Sequence, residues 1–419
     1  MKVFDELVLP NGTRVVNRLA KAAMEENMAD ADHAPSRSLV QLYHSWAEGG
    51  AGLIITGNVM IDRRAMTGPG GVVLEDDAQL EKFRDWARVS RAKGAQVWMQ
   101  INHPGRQMPA GLGQKTWAPS AVALDLGNMS RHFAMPQAMD EQMIDEVITR
   151  FATTANLAEQ AGFSGVEIHA AHGYLLSQFL SPLSNQRTDR WGGTLENRAR
   201  LLVAVVSAVR AVVSPRFAVA VKLNSADFQR GGFSAGDAKE VVRLLGELAV
   251  DMVELSSGSY EAPAMQGETR DGRTLAREAY FLEFARDIQE MARMPLMVTG
   301  GVRRLAVAQM VVESGVAMVG MATALALNPA LPREWLQGGH SEPRLPSVRW
   351  KNKALAALAN MALVKYQLRR IGDNKRPNAG IAPLWALLVQ QAGTLLSARK
   401  YRRWIQAAGD NRLSGRTAG

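Results

Sequence analysis

No cysteine occurs in the 419 residues. That absence excludes disulfides, thiolate nucleophiles and cysteine-ligated iron–sulfur clusters, and it is neutral about compartment. No apolar run reaches the ~18–20 residues that a membrane-spanning helix needs. The N-terminus, MKVFDELVLPNG, lacks the apolar stretch of a secretory signal, so a cytoplasmic protein is the default expectation. A glycine-rich phosphate turn after the first strand pattern is also missing. "AAMEEN" stands there instead, which argues against an open dinucleotide-binding sheet.

Hydrophobic residues make up 47% of the chain and charged ones 21%, a balance that gives a globular fold ample core. The net charge of +9 is unevenly spread. Residues 341–419 hold fifteen Lys/Arg against three Asp/Glu, whereas residues 1–340 are slightly acidic. Any argument about anionic partners is therefore confined to the tail.

Short apolar runs alternate with helical patterns. Strands are expected at 19–24, 52–58, 96–103, 165–170, 218–224, 252–257, 296–300 and 317–321, with helices at 140–161, 194–213, 235–248 and 303–314. Near-continuous apolar strands suit a parallel sheet covered on both faces, and eight βα units close a (βα)8 TIM barrel. Ahead of it, "DELVLPNGTRVVNR" flanks Asn11-Gly12 with apolar runs, the pattern of a type I′ β-hairpin placed to plug the barrel's bottom. Beyond Pro329 the alternation stops. A polar, proline-bearing linker at 340–350 precedes two helical stretches, 350–371 and 382–407. The organisation is a barrel over 1–340 and a basic, helical C-terminal extension over 341–419.

Catalytic groups of such a barrel sit at the C-terminal ends of the strands. Read in order, those ends offer Ala23-Met24-Glu25, Gly57-Asn58, Gln100 to His103, His169 to Tyr174, Lys222 to Asn224, Ser256 to Gly258, Gly300-Gly301 with Arg303 and Arg304 following, and Ala322-Thr323. A Gly-Gly turn that opens a helix exposes backbone N–H groups to a phosphate; a simple tight turn is the competing explanation. Gln100 can donate to and accept from a heterocycle edge. Lys222 could stabilise negative charge there or pair with a neighbouring carboxylate such as Glu167. As metal ligands, His169 and His172 lack a visible third partner, and no metal site is expected. Two imidazoles can instead donate to one carbonyl oxygen while the Tyr174 phenol delivers a proton.

The stretch "GFSGVEIHAAHGYLLSQFLSPLSNQRTDRWGGTLENR" at 162–198 closely resembles the signature of the old yellow enzyme family of FMN-dependent ene-reductases. The resemblance runs from Phe4 to about Pro329 and includes "NRLAKAAM", "GLIITGN", "QINHPGRQ", "VKLNSADFQRGGF" and "MVTGGV". It implies FMN at the barrel mouth, reduced by NADH or NADPH, then reoxidised by an activated alkene in a ping-pong cycle. His169 and His172 would bind the activating oxygen, and Tyr174 would protonate the α-carbon. Gln100 and Lys222 would meet the flavin's pyrimidine edge, with Ala23, Met24 and Asn58 against the ring and Gly300 and Gly301 at the phosphate. The alternative on the same scaffold is reduction of nitro or nitrate-ester compounds, or oxidation of an amine.

Three departures from the family pattern stand out. Glu25 occupies a position that often carries Thr or Cys, and its carboxylate would lower the flavin potential unless protonated or turned away. Ala322-Thr323 replaces a Gly-Arg pair at the phosphate, leaving Arg303 or Arg304 to supply charge. The iron–sulfur cluster and extra nucleotide-binding domain of multidomain relatives have no counterpart, so the nicotinamide nucleotide must bind directly. In the tail, "LVKYQLRRIG" and "LLSARKYRRWIQ" combine apolar spacing with clustered cations. Helices packed on the barrel, or on a neighbouring subunit of a homo-oligomer, are the favoured expectation. Weak association with an anionic membrane surface and a nucleic-acid patch are the alternatives.

Overall fold

The structure is a computed structural model that describes residues 1–262, 282–345 and 348–414. Of the expected linker at 340–350, residues 346–347 lie outside the described residues. Eight strands form the barrel: β1 (Leu19–Lys21), β2 (Leu53–Ile55), β3 (Gln96–Asn102), β4 (Gly165–Ala170), β5 (Ala218–Asn224), β6 (Met252–Ser256), β7 (Leu296–Thr299) and β8 (Met318–Met321). Each pairs in parallel with the next, and β8 returns to β1 through Val319↔Leu19, so the sheet closes. The expected strand starts hold almost to the residue. Strands one and two end sooner, because the chain after Lys21 and after Ile55 leaves the ladder to form loops at the mouth.

The helices are α1 (Arg37–Glu48), α2 (Leu80–Ser90), α3 (Glu141–Gln160), α4 (Leu175–Leu180), α5 (Leu195–Val212), α6 (Ala235–Leu245), α7 (Leu282–Gln289), α8 (Leu305–Glu313), α9 (Thr323–Leu327) and α10 (Leu331–Leu336). Several starts are fixed by local chemistry. Ser36, Asp140 and Thr194 accept bonds from backbone N–H groups of their first turns, and Ser234 with Asp237 forms a full capping box.

Strand side chains alternate between helices and barrel interior. At the lower end the inward set is apolar: Leu53, Ile55, Trp98, Ala218, Met252 and Met297 pack in one cluster with Leu7, Leu9 and Val15. Those last three belong to the N-terminal hairpin, Leu7–Val8 paired antiparallel with Arg14–Val15, which does plug the barrel. Its turn differs from the expected type I′. That type needs positive φ at both central residues, and of Asn11 and Gly12 only Gly12 has it, at +82°. The Gly12 N–H donates to Leu9 O, so Pro10 and Asn11 are the central residues and Gly12 follows as a left-handed bulge. Proline's fixed φ near −65° made Pro10 the first central position.

The tail forms α11 (Lys353–Gly372) and α12 (Pro383–Ser414), packed on each other, with α11 lying against α1 and α9. On α12, Tyr401 is fully buried and donates to Arg63 O at 2.9 Å. Trp404 lies over His33, ring centroids 4.3 Å apart. Packing on the barrel is thus realised by apolar and aromatic contacts, while Arg399, Arg402 and Arg403 stay exposed. Among the described residues no helix is long and apolar enough to cross a membrane.

Gly165 tests how tightly the interior is filled. A Cβ added there would lie 2.6 Å from Trp98 Cδ1 and 2.7 Å from Ala218 O. Gly165→Ala should destabilise the protein by ~1–3 kcal/mol, as overpacking of a filled core does. An unchanged urea-unfolding midpoint would show that the interior yields at this point.

Candidate active site

Above the apolar floor the inward residues turn polar. Lys222 on β5 donates to Glu254 on β6 at 2.6 Å, and Gln100 Nε2 on β3 donates to Glu167 on β4 at 2.6 Å. All four are essentially buried. Burial pushes the Glu167 carboxyl well above its usual range and the Glu254 charge pushes it further, so it keeps its proton. Burial would lower Lys222, but Glu254 and Glu167 hold it above the ordinary lysine value. The layer therefore holds one ammonium, one carboxylate and two neutral groups. Of the two readings of Lys222, the carboxylate pair is what forms, with Glu254 rather than Glu167 in contact. The protonated Glu167 and the Thr299 hydroxyl are both donors to Glu254, while among the described residues both amide atoms of Asn102 have no hydrogen-bond partner.

Beside this layer the chain leaves β4 by an unusual path. His172 has φ +61° and Gly173 +72°, two successive left-handed residues. That conformation costs a non-glycine residue ~1–2 kcal/mol, and here side chains hold it. His172 N–H donates to Asn224 Oδ1, and Gln107 Nε2 donates to His172 O. The reversal folds positions 169, 172 and 174 onto one another. His169 lies 5.0 Å from His172 and 4.8 Å from Tyr174 between ring centroids, both edge-on.

Protonation states follow from the contacts. The Ala171 N–H donates to His169 Nδ1 at 3.2 Å, so a neutral His169 carries its proton on Nε2 and offers it as a donor. His172 Nε2 meets Ser256 Oγ at 2.7 Å. Burial drives both imidazoles well below the usual histidine value, with Lys222 adding to the effect and His172 acting on His169. Burial also lifts the Tyr174 phenol well above 10, helped by Tyr260 and Glu25. Tyr174 and Tyr260 hydroxyls are 3.3 Å apart.

Position 25 is settled by the tail. Lys365 on α11 donates to Glu25 Oε2 at 2.6 Å, across 340 residues of sequence. Burial would raise this carboxyl, yet the Lys365 charge and hydrogen bond bring it below the usual value. Glu25 is ionised and neutralised by a partner, neither protonated nor left as a bare charge. The loops that carry Ala23, Met24 and Asn58 are held from outside the barrel. Lys21 Nζ donates to Ile55 O at 2.8 Å, and the Tyr43 hydroxyl takes the Gly57 N–H at 2.8 Å while donating to Glu26 at 2.6 Å. Burial, only partly offset by Glu26, lowers Lys21 to about 8.

Gly300, Gly301 and Arg303 follow β7, and Ala322-Thr323 follows β8. Like α2, α4 and α10, and unlike α1, α3, α5 and α6, the helices leaving these loops start without a side-chain cap: α8 at Arg304 and α9 at Ala322. Free helix starts of this kind are where anions bind. Sequence reasoning missed Lys21, Glu26, Tyr43, Tyr260 and Lys365. A lysine inside "RLAKAAM" was a usable signal for the first, since a buried strand lysine requires partners. Nothing in the sequence ties Lys365 to Glu25.

Residues 2–341 match the NADH:flavin oxidoreductase / NADH oxidase family. The chain is 39% identical over 352 residues to the NADH-dependent flavin oxidoreductase iliE of Neonectria sp., spanning 78% of this chain and 46% of that protein, about half its length. It is 36% identical to the NADH-dependent flavin oxidoreductase nadA of Aspergillus parasiticus, over 86% of this chain and 83% of that one. Among solved structures, the old yellow enzyme homologue from Zymomonas mobilis superposes with a TM-score of 0.70 at 25% identity, covering 82% of this chain and 94% of that one. Morphinone reductase in complex with tetrahydroNAD gives 0.67 at 25%, covering 82% and 93%. A barrel whose mouth carries these side chains, matched along nearly its whole length, makes this chain a member of the NADH:flavin oxidoreductase, or old yellow enzyme, family, with FMN as its cofactor and NAD(P)H as electron donor.

Proposed function

We propose that the chain reduces the activated C=C of an α,β-unsaturated carbonyl or nitro compound in two alternating half-reactions. FMN, when bound, supplies the hydride chemistry that links NADH or NADPH to the alkene. The observation that carries this reading is the convergence of His169, His172 and Tyr174, with the His169 proton on Nε2. Two neutral imidazoles are donors for one ligand oxygen, and polarising that oxygen leaves the β-carbon electron-poor. Tyr174 keeps its proton across the physiological range and delivers it to the α-carbon. Tyr260, in contact with it, is placed to pass a replacement proton. The two imidazole donors suit a carbonyl or nitro oxygen, whereas a cationic amine offers them no acceptor.

The residues present fit the cofactor. Both amide atoms of Asn102, buried and unpartnered among the described residues, call for a ligand edge with a donor and an acceptor, since each costs ~1–3 kcal/mol if left unmet. Gln100 and Lys222 would hold the pyrimidine edge, with Ala23, Met24, Glu25, Asn58 and His169 bordering the ring. Gly300, Gly301, Arg303, Ala322 and Thr323, at the two uncapped helix starts, would hold the phosphate. Lys365 cancels the Glu25 charge that would otherwise oppose electron-rich ligands.

Anaerobic NADH or NADPH should bleach the flavin, and 2-cyclohexenone should restore its colour. Bleaching by neither nucleotide would refute the reductase reading. Tyr174→Phe should slow the enone step by about 100-fold or more while bleaching stays within about twofold; equal loss in both steps would remove Tyr174 from proton delivery.

These environments set the pH profile. Tyr174 lies well above 10 and both histidines well below 6.5, so none of the three changes charge in between. None of the three should make the enone step pH-dependent from about pH 6.5 to 9. A sigmoid within that window away from about 8, where Lys21 titrates, would mean that one of these groups titrates during turnover.

A further inference from the structure

The tail does more than neutralise Glu25. Helices α11 and α12 cover the loops after β1 and β2 and leave a cavity of about 170 Å³ beneath them. Glu25 lines this cavity and pairs there with Lys365, and its charge also reaches the Tyr174 and Tyr260 phenols. One helical turn beyond Lys365, on the same face, Arg369 also lines the cavity. Among the described residues no carboxylate or side-chain acceptor engages its guanidinium. Burial holds it below the ordinary arginine value. A half-buried guanidinium with no counter-ion is a ready partner for a ligand oxyanion.

The walls around Arg369 are polar and open. Gly393 on α12 faces it, and a Cβ there would lie 3.7 Å from the guanidinium, so no side chain stands between them. Thr394 and Ser397 line the same wall. Two buried amide oxygens at the cavity, Asn27 Oδ1 and Gln390 Oε1, have no donor among the described residues. A ligand that meets all of these carries an oxyanion for the guanidinium and hydroxyl or N–H donors for the amide oxygens.

We propose that the C-terminal extension builds an anion subsite at the barrel mouth, in which Arg369 binds a carboxylate or phosphate of a reactant whose reacting end lies at His169, His172 and Tyr174. This rests on the ene-reductase reading above. Two reactants can bring such a group: the dihydronicotinamide nucleotide through its phosphates, or an alkene that bears its own carboxylate. The second would make Arg369 the residue that sets substrate class.

The test uses the full-length, FMN-loaded protein and its R369Q and R369K variants in stopped flow. Flavin bleaching compares NADH with the uncharged 1-benzyl-1,4-dihydronicotinamide. Reoxidation compares a ring-carboxylated cyclohexenone with 2-cyclohexenone. In R369Q the preference for the anionic member should fall about tenfold in one pair, and R369K should recover part of it. A fall in the donor pair assigns the subsite to the nucleotide, and a fall in the acceptor pair assigns it to the substrate. Calorimetric titration with inorganic pyrophosphate and succinate reads the same site without turnover, with about tenfold weaker binding expected in R369Q. Unmoved preferences in both pairs together with unchanged anion affinity would overturn the proposal. Failure of the ene-reductase reading is separate: it shows as wild-type flavin that no enone reoxidises, while the donor pair and the titrations still report on Arg369.

Discussion

The mouth of this barrel rests on one buried ion pair, Lys222 with Glu254, set directly above an apolar floor. A buried ammonium is tolerable only with a partner, and the partner must come from an adjacent strand at the same level. The register supplies it: Lys222 lies opposite Glu254, and His169 lies opposite Lys222 on the other side. Burial keeps Glu167 protonated, reinforced by the Glu254 charge, and keeps both imidazoles neutral, with the Lys222 charge adding to the effect. A shift of either ladder by one residue would break these pairings and turn the shifted strand's side chains toward the helices.

The barrel was largely legible because its signals are local and periodic. Eight apolar runs separated by helical patterns leave few other architectures, and capping residues such as Asp140, Thr194 and Ser234 mark helix starts in the sequence itself. The hairpin was legible in kind and wrong in turn type, since Asn-Gly was weighed without the proline before it. Pro10 took the first central position and moved Gly12 to the bulge. The clustering of His169, His172 and Tyr174 could be expected from their spacing. What spacing could not show is the pair of left-handed residues, fixed by Asn224 and Gln107, that brings the rings together.

Charge was the least legible quantity. Glu25 looked like a conflict with an electron-rich ligand because its counter-charge sits in a region that the barrel pattern does not include. For Lys222 a carboxylate partner was weighed beside a ligand, but Glu167 was the one named, because Glu254 reads simply as one residue of a strand. Pairings of this kind depend on which side chains the completed fold places within hydrogen-bond reach, and no periodicity in the sequence encodes that.

The pairing of Glu25 with Lys365, and of Arg63 with Tyr401, also imposes an order in time. A chain made from its N-terminus has all eight strands, through Met321, before either tail residue exists. During synthesis the barrel is therefore open above and carries Glu25 as an unmatched charge. It becomes covered and balanced only when the last two helices fold back.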